Sequence, residues 1–270
     1  MPEYPVDPDD LRRLANATRD AQDFHDIATV LTRGLTADLL GNLRRALKGT
    51  LSRQEVARAP YQYQAQLWMW VVLDRAGLNP TVPLETDGLS PDYLVDVGLQ
   101  HYGVEVKRPG ATASAEDLLH KAAKQLWDYG VRGAITMDLT DCLSSSVRDR
   151  VVDDPATAPE TDLNDEFDAL HDLLEPRIFD RARREYRPGY QSVMLFVPYV
   201  RVWRWDVVTG SGQHGGKSAL NSLCVSSATV FASTENTLWH RHAIRLKDSI
   251  QEGMETVGMR FRRQRDEQTP

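Results

Sequence analysis

The chain has 270 residues, 41% of them apolar and 26% charged, which suits a soluble globular protein of one domain with extensions or at most two small domains. Its net charge of −7 argues against a surface that grips nucleic acid all over, although the distribution of charge matters more than its sum. The longest apolar runs, near Trp68–Leu73 and Val193–Val200, are too short to cross a bilayer, and the acidic N-terminus MPEYPVDPDD has no apolar core, so neither a membrane partner nor a secretory signal is expected. Only Cys142 and Cys224 are present, at no metal-ligand spacing. They leave one disulfide open, but the expectation is a reduced, cytoplasmic protein.

Taken in order, residues 8–58 read as short helices, opened by Asp9-Asp10 and punctuated by Gly34 and Gly41. Residues 1–59 are therefore expected to be a helical N-terminal extension serving packing, dimerisation or substrate guidance. Pro60 starts a stronger helix, Tyr61 to Arg75, closed by Gly77. Leu67, Trp68, Trp70, Val71 and Val72 supply its core face. Gln62 and Gln66 lie one turn apart and can face the charged residues beyond Pro91. A strand at Thr81–Leu84 leads through Gly88 to that proline.

Residues 91–109, PDYLVDVGLQHYGVEVKRP, hold two strand-length runs rich in Val and Tyr around a short Gly-containing connector. A two-residue turn at Gly98-Leu99, with Gly first, suits a type II′ hairpin. That register sets Asp92 directly opposite Glu105, and period-2 alternation puts Lys107 on the same face, with Val104 and Val106 on the other. Adjacent carboxylates repel unless something positive lies between them. A hard divalent cation with oxygen ligands, Mg²⁺ or Mn²⁺, meets that need, and Lys107 then serves either the attacking water or the charge of the transition state.

Pro109-Gly110 ends the second strand, and Ser114 with Glu116-Asp117 signals a helix running to Tyr129 before Gly130. Leu118, Ala122, Gln125 and Tyr129 fall on one expected apolar stripe, where the Gln125 amide needs a partner. A strand comes next at Gly133–Leu139. Residues 141–165 read as an acidic flexible insertion, and residues 141–172 carry ten acids against two bases. Beyond it lie a helix from Phe167 to Tyr186, interrupted at Pro176, and a strand at Val193–Trp205, whose Pro198 suggests a bulge or an edge. The Gly-rich loop Gly210–Ser218 approaches a phosphate-binding loop but has Ser211 where that motif needs Gly. A strand at Val225–Ala232 and a helix at Leu238–Met254 close the chain. His240 and His242, two apart, diverge around that helix. Arg residues gather in 177–204 and in the tail, where Arg260, Arg262 and Arg263 join Arg108 as candidate nucleic-acid contacts.

Pro91-Asp92, Glu105-Val106-Lys107 and Gln125-Leu-Trp-Asp-Tyr129 together resemble the PD-(D/E)XK nuclease superfamily, in particular its RecB-like branch and the N-terminal nuclease domain of type I restriction R subunits. The resemblance covers roughly residues 60–140. It implies a restriction-endonuclease-like α/β fold, an αβββαβ core with a mixed central sheet, helical N-terminal extension and C-terminal additions. On this reading residues 60–140 are the nuclease core, and residues 166–270 supply the remaining strands and helices of the same domain. It further implies that Asp92, Glu105 and the Val106 carbonyl hold Mg²⁺ or Mn²⁺, that Lys107 serves the attacking water, and that Gln125 supports Lys107 or the phosphate, with Tyr129 and Gln66 in supporting places. The activity implied is phosphodiester hydrolysis, in DNA before RNA, by an endonuclease or exonuclease acting in restriction or antiphage defence, alone, as a homo-oligomer or under a regulatory protein partner. Relatives carry an acid on the first core helix where this chain offers Gln62, Gln64 and Gln66. The competing reading is therefore a catalytically inactive nuclease-like module that binds nucleic acid or protein.

Overall fold

The computed structural model describes residues 59–83, 90–148, 161–179, 188–208, 217–231 and 238–257, together with single positions between 21 and 43. Helix α1 spans Ala59–Arg75, strands β1 and β2 Tyr93–Val97 and Gln100–Lys107, α2 Thr112–Tyr129, and β3 Gly133–Asp138. A short helix α3 (Ser145–Arg148), a longer one α4 (Thr161–Phe179), strands β4 (Val193–Val208), β5 (Lys217–Ser226) and β6 (Thr229–Val230), and helix α5 (Leu238–Thr256) complete it.

The strands form one open mixed sheet in the order β1-β2-β3-β4-β5, with β6 also on β4. β2, β3 and β4 run parallel, while β1, β5 and β6 join antiparallel. Helices cover both faces. On one, Trp68, Val72, Ala243, Leu246, Ile250 and Met254 of α1 and α5 pack on Tyr93, Val95, Val104 and Val106. On the other, Leu119, Ala122 and Leu126 of α2 and Phe167, Leu174 and Ile178 of α4 pack on Ile135, Met137 and Phe196. A fully buried side chain of this size contributes roughly 1.5–3 kcal/mol, so these two layers dominate the stability. Gly253 lets α5 lie directly on α1, since a Cβ there would fall 2.2 Å from the Val72 carbonyl oxygen. Ile27 and Leu39, both helical, are fully buried in the α1–α5 layer. Apart from these and a few neighbouring positions, the expected N-terminal helices lie outside the described residues. Among those residues no helix is long and apolar enough to cross a membrane.

Several boundaries move. Of the expected strand at Thr81–Leu84, the described residues 81–83 make one antiparallel bridge, Thr81↔Leu94, because Pro80 and Pro83 on either side cannot donate to a ladder, while Leu84 lies outside the described residues. α2 begins at Thr112, not at Ser114, whose hydroxyl bonds back to the Ala111 carbonyl at 2.8 Å. Its buried stripe is Ala115, Leu119, Ala122, Ala123 and Leu126, which leaves Leu118, Gln125 and Tyr129 half-buried on the flank.

Of the expected acidic insertion at 141–165, residues 149–160 lie outside the described residues, and the two ends are built into the fold. Residues 140–142 form a turn of 3-10 helix, and α4 starts at Thr161 because Leu163 extends the apolar stripe of Phe167, Leu170, Leu174 and Ile178. Pro176 sits in the last described turn of α4, and the stretch to Tyr186 lies outside the described residues.

β4 is central, not an edge. Pro198 falls where its outer side changes partner from β6 to β5, so the missing N–H breaks no rung, and the irregular register lies instead beside Gly133. Beyond Tyr199, β4 continues, among the described residues, with β5 alone as a two-stranded arm to Val208↔Lys217. Lys217 and Ser218 are thus strand residues, not the helix start a phosphate loop requires, while residues 209–216 lie outside the described residues.

Candidate metal centre and its cleft

The hairpin has the expected register. Gly98 takes φ +68° while Leu99 stays at negative φ, as a II′ turn demands, and Val97 pairs with Gln100 and Tyr93 with Val104. One step further, Asp92 faces Glu105. Gly103 turns its Cα toward Leu126 of α2, so Glu105 and Lys107 share that side of β2, while Val104 and Val106 lie in the α1–α5 core.

The three charged groups meet. The Lys107 ammonium donates to Glu105 Oε2 and lies 3.9 Å from Asp92 Oδ2. Asp92 Oδ2 accepts the Val106 N–H at 2.8 Å, and its Oδ1 accepts the Gln66 amide at 2.5 Å. Tyr93 in turn donates its hydroxyl to the Gln66 carbonyl at 2.8 Å, fixing α1 to the hairpin. Glu105 is 0% exposed, and its Oε1 has no hydrogen-bond partner.

Burial, then the neighbouring Asp92 carboxylate, push the Glu105 carboxyl well above the usual range, against the pull of Lys107. For Lys107, burial works downward, but Asp92 and Glu105 outweigh it and hold the amine as ammonium. Two carboxylates with one ammonium leave one negative charge too many for so dry a place. It must be met by a proton on Glu105 or by a further cation.

A cleft of about 560 Å³ opens above this cluster. Gln62, Tyr63 and Gln66 of α1 form one wall, and Ser114, Asp117, Leu118, Lys121 and Gln125 of α2 the other, with Asp92, Lys107 and Arg108 between them. Glu105 does not line it and lies behind Lys107. Gln125 reaches the cleft while its amide donates to the Ser90 carbonyl at 3.4 Å, the backbone partner that its half-buried place requires. Tyr129, one turn further on, does not line the cleft.

Arg108 behaves differently from a solvent-facing phosphate contact. Its guanidinium is buried, donates to Asp141 Oδ2 at 2.9 Å, lies 3.6 Å from Asp138 Oδ2 and stacks 5.0 Å over the Tyr61 ring. Arg260, Arg262 and Arg263 lie outside the described residues.

The donors fit a hard divalent cation. They are an orphaned buried carboxylate oxygen on Glu105, the Asp92 carboxylate, and the Val106 carbonyl, which accepts one bond from Gln62 at 2.6 Å and keeps a second lone pair. The two cysteines offer nothing comparable: both are free, with burial pushing each thiol up to about 12. His171, Asp172 and Glu175 of α4 also bring three ligand atoms within 4.8 Å of one another, but His171 and Glu175 both bond Thr229.

Reading the sequence did not reveal the pairing of Arg108 with Asp138 and Asp141, nor the α2 wall of Ser114, Asp117 and Lys121. The second was accessible, since 114, 117, 118, 121 and 125 repeat at helical spacing. No protein-family model, curated protein or solved structure matches the chain.

Proposed function

We propose that the chain is a divalent-cation-dependent nuclease of the PD-(D/E)XK type, hydrolysing phosphodiester bonds with DNA as the first substrate to test. The observation that carries this reading is the meeting of Asp92, Glu105 and Lys107 at the end of β2, beneath an open cleft, with an uncompensated negative charge and an orphaned Glu105 oxygen. The element order α1-β1-β2-α2-β3 supports it, with the Thr81 bridge standing where an αβββαβ core has its first strand.

Asp92, Glu105 and the Val106 carbonyl would hold Mg²⁺ or Mn²⁺. When bound, such an ion polarises the phosphodiester and makes water a better nucleophile. Lys107, kept charged by its two carboxylates, is suited to donate to a phosphate oxygen and neutralise charge as it develops, more than to act as a base. Its four-carbon stem lets it leave Glu105 for the cleft. Gln66 orients Asp92, and Gln125 borders the place where the phosphate would lie.

The test is cleavage of labelled single- and double-stranded DNA and RNA by purified protein in Mg²⁺ or Mn²⁺. Cleavage that EDTA stops, and that falls by roughly 10² or more in both Asp92→Ala and Lys107→Ala at unchanged fold, is the expected result. No cleavage of any substrate, with negligible Mg²⁺ affinity by calorimetry, would establish the inactive binding module instead. The arrangement that favours this second reading is Glu105 sealed behind Lys107, with amides in place of an acid on α1.

A further inference from the structure

The side of β2 that faces β1 loses its partner strand just where Lys107 stands. Val104 pairs with Tyr93, so the next rung of the ladder would join Val106 to residue 91. Residue 91 is Pro, which has an acceptor but no N–H to give to the Val106 carbonyl. Side chains take over that edge. Asp92 Oδ2 accepts the Val106 N–H at 2.8 Å. The Gln62 amide then spans the peptides on both sides of Lys107, its Nε2 donating to the Val106 carbonyl at 2.6 Å and its Oε1 accepting the Arg108 N–H at 2.8 Å. A primary amide presents a donor and an acceptor side by side, as a neighbouring strand would. An ionised acid of the same length only accepts, and a hydrocarbon does neither.

We infer that Gln62 is a positioning residue: it completes the ladder that Pro91 leaves open and so fixes the backbone that carries Lys107 beneath the cleft. In its bearing on catalysis this rests on the nuclease reading. The clamp itself does not. Arg108, tied by its guanidinium to Asp141 and Tyr61, anchors the far end of the same stretch, so without Gln62 only the backbone from the Val106 carbonyl to the Arg108 N–H is released.

The experiment uses the full chain as Gln62→Leu and Gln62→Glu, read out by hydrogen exchange, by acylation of Lys107 with an N-hydroxysuccinimide ester relative to Lys121 in the same cleft, and by kcat and KM. In Gln62→Leu the Arg108 amide exchanges roughly tenfold faster or more, and Lys107 labels faster, while the Gly133–Asp138 amides are unmoved. kcat falls with KM held. Gln62→Glu keeps an acceptor for Arg108 and loses the donor to Val106, so Arg108 stays protected and kcat still falls. Unchanged exchange at Arg108 in Gln62→Leu overturns the clamp. Faster exchange with Lys107 labelling and kcat at wild-type values overturns the positioning role. Wild-type protein that cuts no nucleic acid defeats the nuclease reading alone, and exchange and labelling then decide what Gln62 does.

Discussion

At Glu105 a buried carboxylate, a second carboxylate and an ammonium compete over one missing charge. A folded-state carboxyl raised above its ordinary 4.5 contributes stability that is complete below that value and is lost as pH climbs through the raised one. Glu105→Gln should therefore raise the melting temperature in EDTA at pH 8 and abolish Mn²⁺ binding, a gain in stability at the cost of the site. Lys107→Ala should act in the opposite sense on the cation. It frees Glu105 Oε2 and removes a positive charge, so Mn²⁺ should bind at least about tenfold more tightly by calorimetry while cleavage is lost. Weaker binding in Lys107→Ala would show that the amine assists the cation instead of competing with it.

The thiols give an independent check at this scale. With Cys224 fully buried and held near 12 against an ordinary 9, its thiolate at neutral pH is scarcer by about a thousandfold, and alkylation of folded protein should lag denatured protein accordingly. The same shift sets a sign for stability. The contribution is intact below pH 9 and declines toward 12, so alkaline unfolding should set in across that window.

At the scale of elements, the hairpin was legible because one glycine fixes its turn, and the turn fixes every pair up to Asp92 and Glu105. The helix stripes were less so. The expected stripe of Leu118, Ala122, Gln125 and Tyr129 was off by part of a turn: the face that packs is centred on Leu119, Ala122 and Leu126 with Ala115 and Ala123, and those two alanines carry little weight in a hydrophobic pattern. The partners of Gln62, Gln66 and Arg108 lie 26 to 46 positions away, and no local rule reaches that far. Thr81 misled because its alternation is strand-like while its flanking prolines are not. The contact of α1 with α5 also shows only in three dimensions. Gly253→Ala should cost about 1–3 kcal/mol in chemical denaturation, because the added methyl meets the backbone of Val72 and not a side chain that can move. A loss within experimental error would mean that the two helices can separate without penalty.

Across the whole molecule, the site and the most protected structure share a boundary. The cluster lies at the end of β2, next to β3, whose six residues are all buried. Asp138 at the end of β3 faces Arg108 and Arg201 across 3.6 and 4.0 Å, joining β2, β3 and β4 below the cleft. Exchange should be slowest in β3 and in Leu195–Tyr199, and roughly a hundredfold faster in Trp203–Val208, where β5 is the single partner of β4 among the described residues. Equal protection along all of β4 would show a third strand or a partner covering the arm.

That arm has a consequence for how the chain can vary. Its rungs run to Val208↔Lys217, past the last contact of β4 with β3, so nothing in the sheet depends on how many rungs there are. Two residues gained or lost on each strand would lengthen or shorten it without turning any remaining side chain over, because the pleat repeats every second residue. One residue on a single strand would invert the facing of every position between the change and the far end of that strand in the arm. Relatives of this chain should therefore differ in arm length by even steps, with the Asp92–Glu105–Lys107 cluster untouched.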